Sequence, residues 1–217
     1  MKRLLVTLVA AALLVGGCAD QHAYSRSVYM LVDTSGTYTA ELNKAGQIIN
    51  YVLARLHPGD SFAVAKIDSA SFTEKDIVAK AQFDSRPSRA NAEKRAFHQQ
   101  IGNFIASVNK GSAYTDISGG MLQAVEWLRE TQAGEKTILI FSDLKEDLPK
   151  GHVRKFPLKL KGIDVVAINV TKLRSDNVDP RRYIERLAQW RKKVESGGGH
   201  WRVVNDLDRL DGLLKPL

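Results

Sequence analysis

The chain has 217 residues, of which 44% are hydrophobic and 26% are charged, so it can form one well-packed domain. Its formal net charge is +8 at pH 7, yet neither aromatic interleaving nor a nucleic-acid motif accompanies the basic clusters, so nucleic acid is not the expected partner. Cys18 is the only cysteine, which excludes an internal disulfide, a cysteine metal cluster and a paired redox site.

Residues 1–17 have the pattern of an export signal. A basic start is followed by an apolar stretch, residues 4–15, that is too short to cross a hydrocarbon core of about 30 Å as a helix. Gly16 and Gly17 precede Cys18, and this segment resembles the lipobox of bacterial lipoproteins. The resemblance implies cleavage before Cys18, lipid on its sulfur, and a place in the cell envelope, at the outer membrane if the organism has one.

Two other interpretations of this segment stay open, namely a cleaved secretory signal with an incidental cysteine and an uncleaved anchor. On the lipoprotein interpretation, residues 18–26 form the lipidated cysteine and a short tether. Residues 27–217 then form a single domain, because no Pro, Gly or Ser-rich linker divides them.

Within that domain, short apolar β-branched runs alternate with segments of helical period. In chain order we predict a strand at 28–32, a helix at 40–56, and strands at 62–67 and 77–83. Pro58 and Gly59, just after the helix, prevent it from continuing. Helices at 89–109 and 117–131, strands at 137–141 and 163–170, a helix at 181–194 and a strand at 201–204 follow. This alternation predicts an α/β fold, a doubly wound and mostly parallel central sheet flanked by helices.

Polar side chains stand where two of these strands end. Asp33, Ser35 and Thr37 follow the first strand, and Asp143 follows the apolar strand at 137–141. Ligand sites in open α/β sheets form along this carboxyl edge. The segment 111–120, at the mouth of a predicted helix, adds a further hydroxyl and glycines that permit close backbone approach.

Two carboxylates and several hydroxyls, all oxygen donors, match the preference of a hard cation: Mg²⁺, or Mn²⁺ or Ca²⁺. Because hydroxyl ligands are neutral, the bound cation would keep residual positive charge. We therefore expect it to recruit a carboxylate of a protein partner as its last ligand.

At these residues the sequence resembles the von Willebrand factor A (vWA) domain family. That family's metal-ion-dependent adhesion site reads Asp-x-Ser-x-Ser, then a separate Thr, then a separate Asp. The resemblance implies a Rossmann-like vWA fold and a metal site made of Asp33, Ser35, Thr37, Thr115 and Asp143. It also implies that the hydroxyls contact the metal directly, that the aspartates often act through water, and that a partner's acidic residue completes the coordination.

The sequence departs from the family pattern at two positions. Thr37 replaces the commoner Ser, which keeps the hydroxyl, and Leu144 stands where the family usually has Gly after the last aspartate. Charged residues follow at 145–147, and we expect these and Leu144 to reshape the rim of the site.

The expected function is therefore a membrane-anchored protein-binding module, not an enzyme, and two alternatives stay open. In one, Asp33, Ser35, Thr37 and Thr115 only cap helices, and the domain has an assembly role without metal. In the other, Asp33 is the nucleophile of a Mg²⁺-dependent phosphatase of the haloacid-dehalogenase type, although Ser35 stands where those enzymes carry their second aspartate.

Overall fold

A computed structural model describes residues 24–36, 38–68, 73–151, 154, 156–206, 210 and 213–214. Three features of the sequence analysis lie outside these residues: the signal segment, the lipidation site Cys18 and the candidate ligand Thr37. Among the helices that the structure does describe, none is both long and apolar enough to cross a bilayer.

The centre of the molecule is a six-stranded sheet with strand order β3-β2-β1-β4-β5-β6. β3 is antiparallel to β2, and the other neighbouring pairs are parallel. The strands are β1 Arg26–Asp33, β2 Ser61–Ile67, β3 Ile77–Gln82, β4 Glu135–Phe141, β5 Ile163–Ile168 and β6 His200–Val204. The predicted α/β fold with a mostly parallel sheet is confirmed.

Five α-helices are found in the described residues: α1 Leu42–Arg55, α2 Pro87–Ser107, α3 Ile117–Glu130, α4 Arg174–Val178 and α5 Arg181–Ser196. Short 3-10 helices at Thr39–Glu41 and Glu74–Asp76 precede α1 and β3. α2 begins with a proline, which lacks only an N–H that the first turn leaves unpaired anyway. α4, a helix of five residues, was not predicted from the sequence.

The sheet is buried on both faces, as a doubly wound fold requires. Successive side chains of β1 point to opposite faces, so Val28 and Met30 pack with α1 and α2, whereas Tyr29 and Leu31 pack with α3 and α5. β1 is buried along its whole length, and it therefore fixes the position of the residues at its carboxyl end.

The chain reverses its direction of travel across the sheet between β1 and β4. From β1 it moves through β2 to β3 on one side, and from β4 it moves through β5 to β6 on the other. A crevice forms at such a switch point, at the carboxyl ends of the strands, and this is where open α/β sheets bind ligands.

Candidate metal site

The candidate site lies at this switch point. Val32 pairs with Phe141 in the β1–β4 register, so the next residues, Asp33 and Ser142, stand side by side. The Ser142 hydroxyl donates a hydrogen bond of 2.6 Å to Oδ2 of Asp33. Asp33 is the last residue of β1 rather than the first residue after it, because it still pairs with Ile67 of β2.

The Asp33 carboxylate is fully buried. Its Oδ1 accepts a 2.8 Å hydrogen bond from the backbone N–H of Ser35, which turns the chain out of the strand. Burial raises the pKa of Asp33, and the hydrogen bonds from Ser142 and Ser35 only partly offset that effect. A nearby cation would favour the ionised carboxylate.

Asp143 lies beside it and is 3% exposed. Its Oδ1 accepts a 2.8 Å hydrogen bond from the backbone N–H of Lys145. Burial raises the pKa of Asp143, and the charge of Asp33 raises it further, while the Lys145 N–H and the guanidinium of Arg186 act in the opposite direction. Two buried carboxylates that repel each other are a site that a divalent cation would stabilise.

Thr115 reaches the same edge through backbone pairing. Its N–H donates to the Asp147 carbonyl at 2.7 Å, and the Asp147 N–H donates back at 3.0 Å, so the segment before α3 is tied to the loop that follows β4. Thr115 is 5% exposed.

A second bridge joins that segment to the loop after β1. The Ser112 N–H donates to the Thr34 carbonyl at 2.8 Å, and the Gly36 N–H donates to the Ser112 carbonyl at 3.3 Å. The two chains approach so closely that a Cβ on Gly111 would lie 2.2 Å from the Cα of Gly36. Glycine at 111 is therefore required for the approach, as the sequence analysis expected of this segment.

The structure thus places four of the five predicted ligands at the carboxyl edge of β1 and β4, and the fifth, Thr37, lies outside the described residues. Asp33 and Ser35 are hydrogen-bonded, Asp33 and Asp143 interact electrostatically, and the two backbone bridges hold Thr115 at the same edge. In the described ranges, no three side chains of the His, Cys, Asp and Glu types are grouped so that they could hold a metal ion. The donors at this edge are instead two carboxylates with hydroxyls, which fits a hard cation. We call Asp33, Ser35, Thr115 and Asp143 the candidate cation site.

Leu144, the departure from the family pattern, has a backbone φ of 63° and is 1% exposed. Its N–H donates to the Ser142 hydroxyl at 3.0 Å, and its carbonyl accepts from the indole of Trp190 at 2.9 Å. This φ lies in the left-handed region, which favours glycine because glycine has no Cβ. That is a physical reason why the vWA family usually has glycine at this position.

Helix α5 holds the loop after β4 in place. Arg186 donates a hydrogen bond from Nε to the Asp143 carbonyl at 2.9 Å. Trp190, one helical turn later, donates from its indole N–H to the Leu144 carbonyl. The other guanidinium nitrogens of Arg186 pair with the buried Asp176 at 2.7 and 3.2 Å. Neither Arg186 nor Trp190 was predicted from the sequence to have a role at the site.

Two further contacts were missed. Ser142 joins the two strand ends, and its position directly before Asp143 was the only available signal. Asp116 caps α3 by accepting from the Gly119 N–H at 2.8 Å, and it also forms an ion pair of 2.6 Å with Arg154. The spacing of 38 residues between these two partners gives no signal in a single sequence.

Comparison with known proteins gives matches at the level of structure only. No family profile matches the chain, and no curated protein sequence matches it. A von Willebrand factor type A structure from Catenulispora acidiphila has a TM-score of 0.50 and 12% identity over 86% of this chain, which spans 40% of that protein.

Two Bacteroides proteins are also similar. The conserved hypothetical protein BatB from Bacteroides thetaiotaomicron has a TM-score of 0.48 and 13% identity, with 87% of this chain and 95% of that chain covered. An aerotolerance-related membrane protein from Bacteroides fragilis, solved with multiple mutations to serines, has a TM-score of 0.46 and 14% identity, with 84% and 93% covered. At such identities a likeness shows the fold alone. From the sheet order and the Catenulispora structure, the fold of this chain is that of a von Willebrand factor A domain.

Proposed function

We propose that this chain is a protein-binding module that captures an acidic group of its partner through a divalent cation held at the candidate cation site. The observation that carries the proposal is the meeting of three separate segments at the β1–β4 switch point. Ser142 joins the two strand ends, and the two backbone bridges add the segment of Thr115.

In this proposal the hydroxyls of Ser35 and Thr115 contact the cation, and Asp33 and Asp143 balance its charge. The cation, Mg²⁺ or else Mn²⁺ or Ca²⁺, supplies a positive centre with an open position for an outside carboxylate. The protein contributes a prearranged set of oxygens, because hydrogen bonds from Ser35, Ser142 and Lys145 already orient both carboxylates.

The burial of Asp33 supports a binding role over phosphatase chemistry. A nucleophilic carboxylate must present an oxygen to phosphorus. Asp33 is fully buried, and both of its oxygens accept hydrogen bonds, one from Ser35 and one from Ser142.

The test is the thermal unfolding of the domain with Mg²⁺, Mn²⁺, Ca²⁺ or EDTA. A cation that binds only the folded state stabilises it by about 2.7 kcal/mol at a hundredfold excess over Kd, so the melting temperature should rise with cation concentration. Asp143→Asn keeps the shape of the side chain but removes its charge, and we expect it to abolish most of that rise.

Asp60→Asn is a matched control at the opposite edge of the sheet. Asp60 is also buried, and its carboxylate accepts backbone hydrogen bonds from Arg26 at 2.8 Å and His57 at 2.7 Å. We expect this variant to melt at a lower temperature but to keep the full response to cation. A wild-type chain that does not respond to millimolar cation would contradict the metal-dependent proposal and favour a metal-free assembly module.

We also propose that the domain is held in the cell envelope by lipid on Cys18. The described chain enters β1 at Arg26, at the edge of the sheet opposite Asp33, so the candidate cation site would face away from an anchoring membrane. Metabolic labelling with an alkyne fatty acid should mark the wild-type protein but not Cys18→Ser. Equal labelling of both would contradict the proposal.

A further inference from the structure

A groove runs beside the candidate cation site, between the loop after β4 and helix α5. Its volume is about 430 Å³, and it begins at Leu144 and Lys145, directly after Asp143. Because Lys145 lies two residues from Asp143, their Cα atoms are at most about 7 Å apart. A partner segment that reaches the cation with one side chain can therefore reach the groove with another.

The lining of this groove, which we call the basic groove, carries more positive than negative charge. Its charged residues are the basic Lys145, Arg182, Arg186 and Lys193 and the acidic Glu146 and Glu185. Two of the basic residues are engaged inside the protein. Arg186 pairs with Asp176 at 2.7 Å, and Lys193 donates to the Ser118 hydroxyl and lies 3.7 Å from Glu146.

The other two basic residues face solvent. Lys145 and Arg182 are both exposed, and in the part of the chain that the structure describes neither side chain forms an ion pair or a hydrogen bond. The Lys145 charge acts on Asp143 and the Arg182 charge acts on Asp179 without direct contact, so both side chains can still contact an anionic group from outside.

One residue that lines the groove, Trp190, is held in place by its contacts. Trp190 is 6% exposed, its indole is fixed to the Leu144 carbonyl at 2.9 Å, and the Lys193 ammonium lies 4.7 Å from its ring centroid. Because Trp190 is already fixed in the free protein, binding a segment in the groove costs less free energy for ordering side chains.

We propose that the basic groove binds a second carboxylate of the same acidic partner segment, through Lys145 and Arg182. This inference rests on the proposed function, in which a first carboxylate completes the cation. The preferred ligand is then a segment with two acidic residues a few positions apart. A module that binds only through the cation would recognise a single carboxylate.

The probes are two fluorescein-labelled peptides, one with two glutamates separated by two glycines and one with the second glutamate replaced by glutamine. Their affinities for the domain are measured by fluorescence anisotropy in Mg²⁺ and in EDTA. We expect wild-type protein in Mg²⁺ to prefer the two-glutamate peptide. The double variant Lys145→Glu/Arg182→Glu should bind that peptide about tenfold more weakly and lose the preference.

Arg191→Glu/Lys192→Glu is the matched control. Both residues are exposed on α5 but do not line the groove, and the variant makes the same change in net charge. We expect its affinity for both peptides to stay within about twofold of wild type.

These measurements distinguish a failure of the groove proposal from a failure of the cation proposal. If the groove variant binds like wild type, if the control weakens binding equally, or if the two-glutamate peptide shows no binding at millimolar concentration, the groove proposal is overturned. If EDTA leaves the affinity unchanged while the groove variant still weakens it, the groove stands and the cation proposal fails.

Discussion

Leu144 combines a left-handed backbone with a buried side chain, and these two properties have opposite effects on stability. Its φ of 63° costs about 1–2 kcal/mol for a residue with a Cβ, while its side chain packs in the core formed with α3 and α5. The hydrogen bonds from Leu144 to Ser142 and from Trp190 to Leu144 hold the backbone in that conformation. The chain tolerates a residue other than glycine here because burial offsets the strain.

This balance predicts an unusual order of stabilities. Leu144→Ala should lower the free energy of unfolding by about 2–4 kcal/mol, because it removes buried methyl groups and keeps the strain. Leu144→Gly removes one more carbon, the Cβ, but relieves the strain that this Cβ causes, so it should be about 0.5–1 kcal/mol more stable than the alanine variant. Denaturant unfolding measures both values.

Leu128, which is fully buried within α3 in the same core, provides the control. In a helix interior glycine is less favourable than alanine by about 1 kcal/mol, so the order should reverse there. If glycine is also the less stable substitution at position 144, the account of strain at Leu144 is wrong.

The sequence was informative for some residues of the site and silent on others. Asp33 and Asp143 could be predicted because each lies at or just after the end of an apolar strand, and strand ends are visible in a sequence. The positive φ of Leu144 and the bond from Ser142 to Asp33 could not, because both arise from contacts between segments that are distant in sequence.

At the scale of elements, α4 and α5 act together on the loop that carries Asp143. Arg186 of α5 binds the Asp143 carbonyl and the Asp176 side chain in α4, and Asp176 also accepts a 2.8 Å hydrogen bond from the backbone N–H of Leu173. α4 has only five residues, too few for an isolated helix to be stable, so these contacts sustain it. No pattern in the sequence predicts a short helix that depends on an arginine of the next helix.

The Asp176–Arg186 pair predicts a dependence of stability on pH. The Arg186 guanidinium holds the pKa of Asp176 below its ordinary value, and the N–H of Leu173 acts in the same direction. A lowered pKa in the folded state means that the stabilisation is present above the unfolded-state value of about 3.9 and is lost as pH falls through the folded-state value.

The measurement is the free energy of unfolding of wild type and Asp176→Asn between about pH 2 and pH 6. Wild type should lose more stability than the variant on acidification below about pH 4. If the free energy of unfolding of the two proteins falls in parallel with pH, the Asp176–Arg186 pair does not make stability depend on pH.

At the scale of the molecule, the strand order accounts for the site. β1 and β4 are neighbours although about a hundred residues separate them, and their shared carboxyl edge receives Asp33 and Asp143. The alternation of apolar strands and helices predicted the doubly wound sheet, because the central strands are buried on both faces. That alternation could not predict the bridges from Ser35 to Ser112 and from Thr115 to Asp147, because they form between loops.

If three loops of this fold hold one divalent cation, anomalous diffraction from crystals of the domain soaked in Mn²⁺ should locate that ion. We expect one strong anomalous peak at the β1–β4 edge, in contact with the hydroxyl oxygens of Ser35 and Thr115, and no such peak in crystals of Asp143→Asn. Well-ordered loops with no peak at that edge in the wild-type crystals would contradict the cation proposal.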